Sequence, residues 1–157
     1  MLAIDNFDFL VGSWNVVNRR IKERLCGSDE WIEFHATMET KEILNGLGTM
    51  DEMKSSYFGD GFVGLSIRIF DPKSGEWTIY WADTESPERK LTEQVVGTFA
   101  NGVGEFHGTE LFDGKQMKLR FRWKKDSPET AYWEQAYYDD ERGAWEANWT
   151  MLFSKVH

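Results

Sequence analysis

The chain has 157 residues, which is enough for one full-sized hydrophobic core and too few for two. Its 27 Asp and Glu residues outnumber its 18 Lys and Arg residues, so the net charge is −9. This balance argues against nucleic acid and against a membrane surface as partners, because both attract a basic protein face. Since 41% of the residues are hydrophobic and eight are Trp, residues 1–157 are expected to form a single domain with large aromatic surfaces.

The N-terminus and the single cysteine bear on cellular location. The first residues have no basic start and reach an acid at Asp5, so no secretory signal is expected. No stretch approaches the roughly 18 apolar residues of a membrane helix. Cys26 has no partner for an intramolecular disulfide, which is typical of a protein in a reducing compartment. These features predict a cytoplasmic protein.

Turn signals recur about every dozen residues along the chain, and no helical period is sustained between them. Asn101-Gly102 and Asp113-Gly114 are the strongest signals, because Asn or Asp followed by Gly accepts the positive φ angles of a type I′ hairpin. This rhythm is typical of an all-β barrel or sandwich. Residues 3–10 are expected to form a short helical turn. About ten strands follow, over residues 12–21, 30–43, 48–57, 62–71, 76–84, 92–100, 103–112, 115–125, 130–138 and 145–155.

The two tight hairpins predict which side chains point inward, because loop length determines register. A two-residue loop at 113–114 places Phe106 opposite Phe121 and Glu105 opposite Arg122. Apolar then meets apolar and acid meets base, which makes the register self-consistent. For the loop at 101–102, the predicted pairs are Gly97 with Phe106 and Phe99 with Gly104.

Two other hairpins are predicted from weaker signals. In the last hairpin the expected pairs are Tyr137 with Trp145, Gln135 with Ala147, Trp133 with Trp149, and Glu134 with Asn148. In the hairpin over residues 62–84, the apolar alternation predicts an inner face of Val63, Leu65, Ile67 and Ile69 against Trp77, Ile79, Trp81 and Asp83.

One aromatic inner wall follows from these registers. Its aromatic members are Trp14, Trp77, Trp81, Phe99, Phe106, Phe121, Trp123, Trp133 and Trp149. The polar residues expected on the same face are Asn18, Arg20, Asp83, Glu110 and Gln135. An aromatic cavity with a few convergent polar groups is typical of small-molecule sites, although a cluster of Trp is more often core.

The segment Phe9-Leu10-Val11-Gly12-Ser13-Trp14 resembles the Gly-x-Trp start of the calycin barrels, the group that contains lipocalins and fatty-acid-binding proteins. The resemblance implies that a helical turn leads into the first strand and that Trp14 plugs one end of the barrel. Nearly the whole chain resembles an uncharacterised bacterial branch of that group, a lipocalin-like domain family of unknown function. The resemblance therefore implies a fold and no activity. The other matching pieces are Asp71-Pro72, Trp77 to Asp83, Val96 to Phe99, Gly102 to Phe106, Arg120 to Trp123, Trp133 to Ala136 and Trp145 to Trp149.

The chain departs from the better-known calycin families in three places. Residues 22–29 are too few for the helical pair that follows the first strand of fatty-acid-binding proteins. The disulfides and signal peptide of extracellular lipocalins are missing. Haem-binding barrels such as nitrobindin carry a Gly-x-Trp-x-Gly-x-Gly element and a proximal His near the end of the barrel. Here Trp14 is followed by Asn15-Val16-Val17, and the last strand has no His before His157. No cofactor is expected.

No catalytic or metal-binding motif is present in the sequence. A haem would need His35 or His107 inside the barrel. The predicted register places His107 outside, beside Arg120, and leaves the face of His35 open. An enzyme would have to use Asp83 or Glu110 as an inner acid or base.

Arg20 and Asp83 are the sharpest polar pair on the inner face. An Arg inside a barrel can hold a ligand carboxylate through two hydrogen bonds. Alternatively, Arg20 lies at the strand's end and reaches solvent, or neutralises an acid. Glu134 and Asn148 could form an acid–amide site, but the predicted register places both outside.

The sequence thus predicts an all-β, up-and-down antiparallel barrel that binds a small, mostly apolar molecule. The ligand would rest on the Trp side chains and be oriented by Asn18, Arg20 or Asp83. The alternative is a filled barrel that acts as an oligomer-forming module, for instance a homodimer through Trp31 and Ile32. The complete candidate ligand-binding set is Trp14, Asn18, Arg20, Trp81, Asp83, Phe106, Phe121, Trp133, Gln135 and Trp149.

Overall fold

The computed structural model describes residues Leu2–His157 and shows a closed barrel of ten antiparallel strands. Each strand pairs with its sequence neighbours, and the first strand also pairs with the last, so the sheet has no free edge. The strands are β1 (Gly12–Ile21), β2 (Trp31–Ile43), β3 (Gly48–Lys54), β4 (Val63–Asp71), β5 (Glu76–Asp83), β6 (Thr92–Ala100), β7 (Val103–Phe112), β8 (Lys115–Ser127), β9 (Thr130–Asp139) and β10 (Ala144–Lys155).

The predicted fold class is confirmed: the chain forms an all-β, up-and-down barrel that begins with a short helical turn. Two 3-10 turns, Asp8–Leu10 and Leu44–Gly46, are the helical elements of residues 2–157, and no helix there has the length and hydropathy needed to cross a bilayer. The third strand is shorter than predicted. It ends at Lys54, and residues 55–62 form a loop.

The two tight hairpins have the predicted registers. Phe106 lies opposite Phe121, and Glu105 lies opposite Arg122, with 3.2 Å between the Arg122 Nε and a Glu105 carboxylate oxygen. Asn101 and Asp113 both have positive φ angles, as a type I′ turn requires. Gly97 lies opposite Phe106, where a Cβ atom would sit 2.1 Å from the Glu105 carbonyl oxygen. Gly97 therefore allows a close approach of two strands that a larger residue would prevent.

The predicted register of the last hairpin is wrong. Trp145 pairs with Tyr138, and a β-bulge between Ala147 and Trp149 then shifts the alignment. As a result, Trp149 lies opposite Gln135, and Asn148 is fully buried instead of lying outside. Sequence alternation cannot reveal this shift, because a bulge inserts one residue and reverses the parity after it.

The predicted inner face of β4 is also wrong. Val63, Leu65, Ile67 and Ile69 lie on the outside of the barrel and are only half-buried. The inner face is formed by the alternate residues, with Ser66 opposite Trp81 and Arg68 opposite Ile79. An aliphatic row on an outer face is half-covered by its neighbours in the sheet, so alternation alone identifies two faces without saying which one is inside.

The N-terminal segment closes one end of the barrel. The Leu2 and Ile4 amides donate to the carbonyls of Lys125 and Gly102, which carries the segment across this closed end. Trp14 is almost fully buried beside it, and its indole Nε1 donates to the Leu10 carbonyl at 2.8 Å. The loops after β1, β3, β5, β7 and β9 lie at the opposite, open end, because the strands alternate in direction.

Phe7 is the centre of the packing at the closed end. Its ring is fully buried, with centroid distances of 5.0 Å to Trp77, 4.9 Å to Phe99, 5.4 Å to Phe106 and 5.9 Å to Trp123. Side chains from β5, β6, β7 and β8 thus converge on one ring from the N-terminal segment. The space around Phe7 is therefore a packed core.

Replacing Phe7 by Ala is expected to lower the free energy of unfolding by about 3–5 kcal/mol, because it removes a buried ring and leaves a cavity. Urea unfolding followed by circular dichroism measures this. Leu111, which is 70% exposed, is the control, and its replacement by Ala is expected to change stability by less than about 0.5 kcal/mol. A loss below about 1 kcal/mol for Phe7→Ala would contradict the central role of Phe7.

Candidate ligand-binding cavity

The interior of the barrel between the closed end and the open-end loops is hollow. This barrel cavity has a volume of about 510 Å³, within the range of small-molecule sites. The barrel is therefore not filled by its own side chains. The apolar lining residues are Met38, Met53, Phe58, Phe62, Ile79, Trp81, Phe121, Trp123, Trp133, Trp149, Met151 and Phe153.

A buried ion pair between Arg68 and Asp51 lies on the wall of the cavity, towards the closed end. The Arg68 Nη1 donates to the Asp51 carboxylate and lies 3.4 Å from the Thr49 hydroxyl oxygen. The guanidinium carbon lies 5.1 Å from the Phe7 ring centroid and 5.4 Å from that of Trp123. Arg68 is thus held both by a carboxylate and by two aromatic faces.

Loss of either partner of the Arg68–Asp51 pair is expected to destabilise the fold, because it leaves the other charge buried and unpaired. Both side chains are almost completely buried, and charges removed from water must be paired. Burial raises the pKa of Asp51, while the charge and hydrogen bond of Arg68 act in the opposite direction. Taken together, the pair adds polarity to the cavity wall without adding net charge.

Hydrogen bonds hold the polar residues and the Trp side chains of the cavity wall in place. The Trp81 Nε1 donates to a carboxylate oxygen of Asp83 at 2.8 Å. The Gln135 Nε2 donates to the Asn148 Oδ1 at 2.9 Å, so the bulge residue of β10 orients a polar group of the lining. These bonds leave the aromatic faces as the main surface that a ligand would contact.

Asn18 supports the wall from behind. It is fully buried, and its Oδ1 accepts a hydrogen bond from the Trp149 Nε1 at 3.0 Å. Trp149 in turn meets Trp133 edge to face, with 5.6 Å between ring centroids. Asn18 therefore orients a lining residue without lining the barrel cavity itself.

The loop over residues 55–62 covers part of the open end with aromatic side chains. Phe58 lines the barrel cavity, and its ring centroid lies 5.9 Å from that of Trp149 and 4.7 Å from that of Phe62. Tyr57 stacks on Phe34 at 4.0 Å. A ligand entering from this side would pass these rings.

A second cavity, the mouth cavity, has a volume of about 660 Å³ and lies at the open end. Arg20, Arg24 and Tyr137 line it, and it shares Glu110, Gln135 and Trp149 with the barrel cavity. The two cavities therefore meet at a common wall. A molecule bound in the barrel could extend into the mouth.

Tyr137 connects a cation to an acid at the mouth. Its hydroxyl donates to the Glu110 carboxylate and accepts a hydrogen bond from the Arg24 Nη1 at 2.8 Å. Burial, together with the hydrogen bond and charge of Glu110, raises the pKa of Tyr137, and Arg24 opposes this shift. Glu110, proposed from the sequence as an inner carboxylate, is thus engaged by a tyrosine.

The structure distributes the ten sequence-predicted site residues over four places. Trp14 and Phe106 belong to the packed closed end, and Asn18 lies behind the wall. Arg20 lies in the mouth cavity. The residues that line the barrel cavity are Trp81, Asp83, Phe121, Trp133, Gln135 and Trp149.

Arg20 and Asp83 are not brought together. Arg20 lines the mouth cavity, and within residues 2–157 it has no carboxylate within ion-pair distance. Asp83 lines the barrel cavity and accepts hydrogen bonds from Trp81 and from the Glu85 amide. The two residues therefore do not form the polar pair that the sequence suggested.

Sequence reasoning missed the Arg68–Asp51 pair, because it assigned the wrong face of β4 to the interior. The register of the turn between β4 and β5 indicates which face of β4 points inward. Asp71 pairs with Glu76, so Phe70 lies opposite Trp77. Counting back from an inward Trp77 places Arg68 inside the barrel.

Both internal histidines point away from the cavity. His35 is exposed on β2, and His107 lies opposite Arg120 on the outer face, as predicted, with its Nε2 2.9 Å from Glu105. Glu134 is also outside, where a carboxylate oxygen lies 3.2 Å from an Arg120 nitrogen. The imidazoles therefore cannot reach a group bound inside the barrel.

No protein-family model matches the chain, and no curated protein matches it. Among solved structures, the S-type phycobiliprotein lyase CPES from Guillardia theta is similar, with a TM-score of 0.59 and 10% sequence identity. The match covers 96% of this chain and 90% of that chain. At this identity the likeness concerns the fold alone. It supports the calycin-like barrel architecture that the Gly-x-Trp start implied.

Replacing Asp51 by Asn is expected to cost about 3–5 kcal/mol of unfolding free energy, because it leaves the Arg68 charge buried without a counter-charge. The double variant Asp51→Leu with Arg68→Met is expected to recover most of that loss, since both charges are removed together. Urea unfolding of Asp51→Leu, of Arg68→Met and of the double variant measures the coupling. Additive losses in the double variant would show that the two side chains do not depend on each other.

Proposed function

We propose that this protein binds a small, mostly apolar molecule inside the barrel. The observation that carries this proposal is the cavity of about 510 Å³, whose lining combines twelve apolar side chains with nine polar ones. A concave site of this size, with a largely apolar wall and convergent polar residues, is the usual form of a small-molecule site.

The arrangement of the wall favours a ligand with a flat or extended apolar body. Trp133 and Trp149 meet at an interplanar angle of 86°, and Phe121 and Trp133 at 70°. These edge-to-face contacts leave ring surfaces free to contact a third apolar group. Gln135 of β9 lies on the same wall, and Ser66 of β4 lies across the barrel from it; both supply hydrogen-bonding groups to the cavity that can orient the ligand.

The similar solved structure, a phycobiliprotein lyase, supports this proposal through its fold, which the match extends over 96% of this chain. We propose no catalytic residue for the present chain. Asp83 and Glu110, the acids considered from the sequence, are engaged by Trp81 and by Tyr137.

Three further assignments belong to the same proposal. Residues 1–157 act as one calycin-like domain, and the chain belongs to the uncharacterised lipocalin-like family that its motifs resemble. Cys26 is exposed and forms no disulfide, which supports a cytoplasmic location. Self-association as a homodimer stays a prediction of the sequence.

The proposal is tested with a variant in which a larger side chain occupies part of the barrel cavity. Ser66 is buried in the lining and lies opposite Trp81, so Ser66→Phe places a ring in the space that a ligand needs. Titration with the uncharged fluorophore N-phenyl-1-naphthylamine, followed by probe emission and by Trp quenching, is expected to show binding to the wild-type protein. The variant is expected to bind at least about tenfold more weakly, which corresponds to about 1.4 kcal/mol.

Ser154→Phe is the matched control, because Ser154 is exposed on the outside of β10. This variant is expected to bind the fluorophore like the wild type. Near-ultraviolet circular dichroism checks that both variants fold. Unchanged binding by Ser66→Phe, or no signal from the wild type with this probe and a panel of apolar metabolites, would contradict a ligand site in the barrel.

A further inference from the structure

We infer that the ligand of the barrel carries an anionic group, and that Arg20 binds this group in the mouth cavity. The inference rests on the proposed function, because it concerns the same ligand. It adds the chemical class: an organic anion with an apolar body and a carboxylate or sulfonate at one end.

Arg20 stands where the two cavities meet. It lies near the end of β1, opposite Trp149 of β10, and its guanidinium carbon lies 4.7 Å from the Trp149 ring centroid. Phe58 from the open-end loop lies on it as well, at 5.5 Å. Two aromatic rings that line the barrel cavity thus hold the guanidinium at the mouth.

The positive charge of Arg20 has no protein counter-charge nearby. In the part of the chain that the structure describes, Arg20 forms no ion pair. Burial lowers the pKa of Arg20 and the charge of Arg24 lowers it further, whereas Tyr57 and Tyr137 oppose this shift.

The other charges at the mouth do not neutralise Arg20. Glu23, Glu110 and Asp113 line the same cavity, but Glu110 is engaged by Tyr137, and among residues 2–157 none of the three lies within ion-pair distance of Arg20. Lys22 pairs with Glu30, with 3.4 Å between nitrogen and oxygen. A ligand anion at Arg20 would therefore meet a half-buried cation and also reduce its repulsion from Arg24.

Arg68, unlike Arg20, has a counter-charge in the protein. It lies deeper in the barrel, but Asp51 already neutralises it. An anion placed against Arg68 would have to compete with a buried carboxylate, and would be repelled by it. The position of the free cation therefore orients the ligand with its apolar body inside and its anionic end at the mouth.

The experiment compares two probes that share one aromatic system. 1-Anilinonaphthalene-8-sulfonate carries a sulfonate, and N-phenyl-1-naphthylamine lacks it. The wild-type protein is expected to bind the sulfonate probe about tenfold more tightly than the neutral one, at one site per chain, because a hydrogen bond to a charged group is worth at least that factor. Raising the salt concentration is expected to reduce this preference and to leave the neutral probe unaffected.

Arg20→Gln is expected to lose the preference while keeping its affinity for the neutral probe. The matched control is Arg19→Gln, because Arg19 is exposed on the outside of the same strand, over Trp31. It is expected to behave like the wild type. Binding of the neutral probe reports that each variant is folded, and the salt dependence of the wild type provides a measurement that needs no variant.

The outcomes separate the inference from the proposed function. Equal, salt-independent affinities for the two probes in the wild type would overturn the inference and leave ligand binding in the barrel intact. A full preference retained by Arg20→Gln would overturn the assignment to Arg20. If neither probe binds the wild type, both the proposed function and the inference fail.

Discussion

The closure of the sheet, with β1 hydrogen-bonded to β2 on one side and to β10 on the other, is the constraint on which the rest of the structure depends. A closed ring has no free edge, and its diameter grows with the number of strands. Side chains can just fill the interior of an eight-stranded barrel, and a ten-stranded barrel encloses more space. Here Phe7 and its neighbours fill the closed end, and the remaining interior becomes a cavity.

That cavity imposes a rule on each polar group inside it. A buried charge must be paired, and Asp51 and Arg68 satisfy each other. The buried amides of Asn18 and Asn148 accept hydrogen bonds at Oδ1 from Trp149 and from Gln135, while their Nδ2 groups bond to no protein atom among residues 2–157. Arg20, half-buried at the mouth, stacks on Trp149 and forms no ion pair there. Most of the interior polar groups thus hold the wall in place, and the charge of Arg20 is left to meet a group from outside.

How far the sequence predicts this molecule depends on the local signal available at each hairpin. Asn101-Gly102 and Asp113-Gly114 determine two registers correctly, because the backbone angles of a two-residue turn leave little choice. The last hairpin has a longer loop and a bulge beside Asn148, and neither changes the hydrophobic pattern in a recognisable way. In β4, the aliphatic row that includes Leu65 and Ile67 alternates as regularly as a core strand, yet it lies outside.

The sequence by itself determined that this chain is acidic and all-β, with about ten strands and aromatic residues along one face, since turn chemistry and alternation are local properties. The resemblance of its Gly-x-Trp start to the calycin barrels then favoured a barrel over a sandwich. It also placed Trp81, Trp133 and Trp149 on that wall correctly. Only the tertiary structure decided that Arg68 and Asp51 pair inside, that Asp83 serves Trp81 instead of Arg20, and that the interior is open. These facts depend on contacts between strands far apart in the chain and on the space left between them, and no local pattern records either.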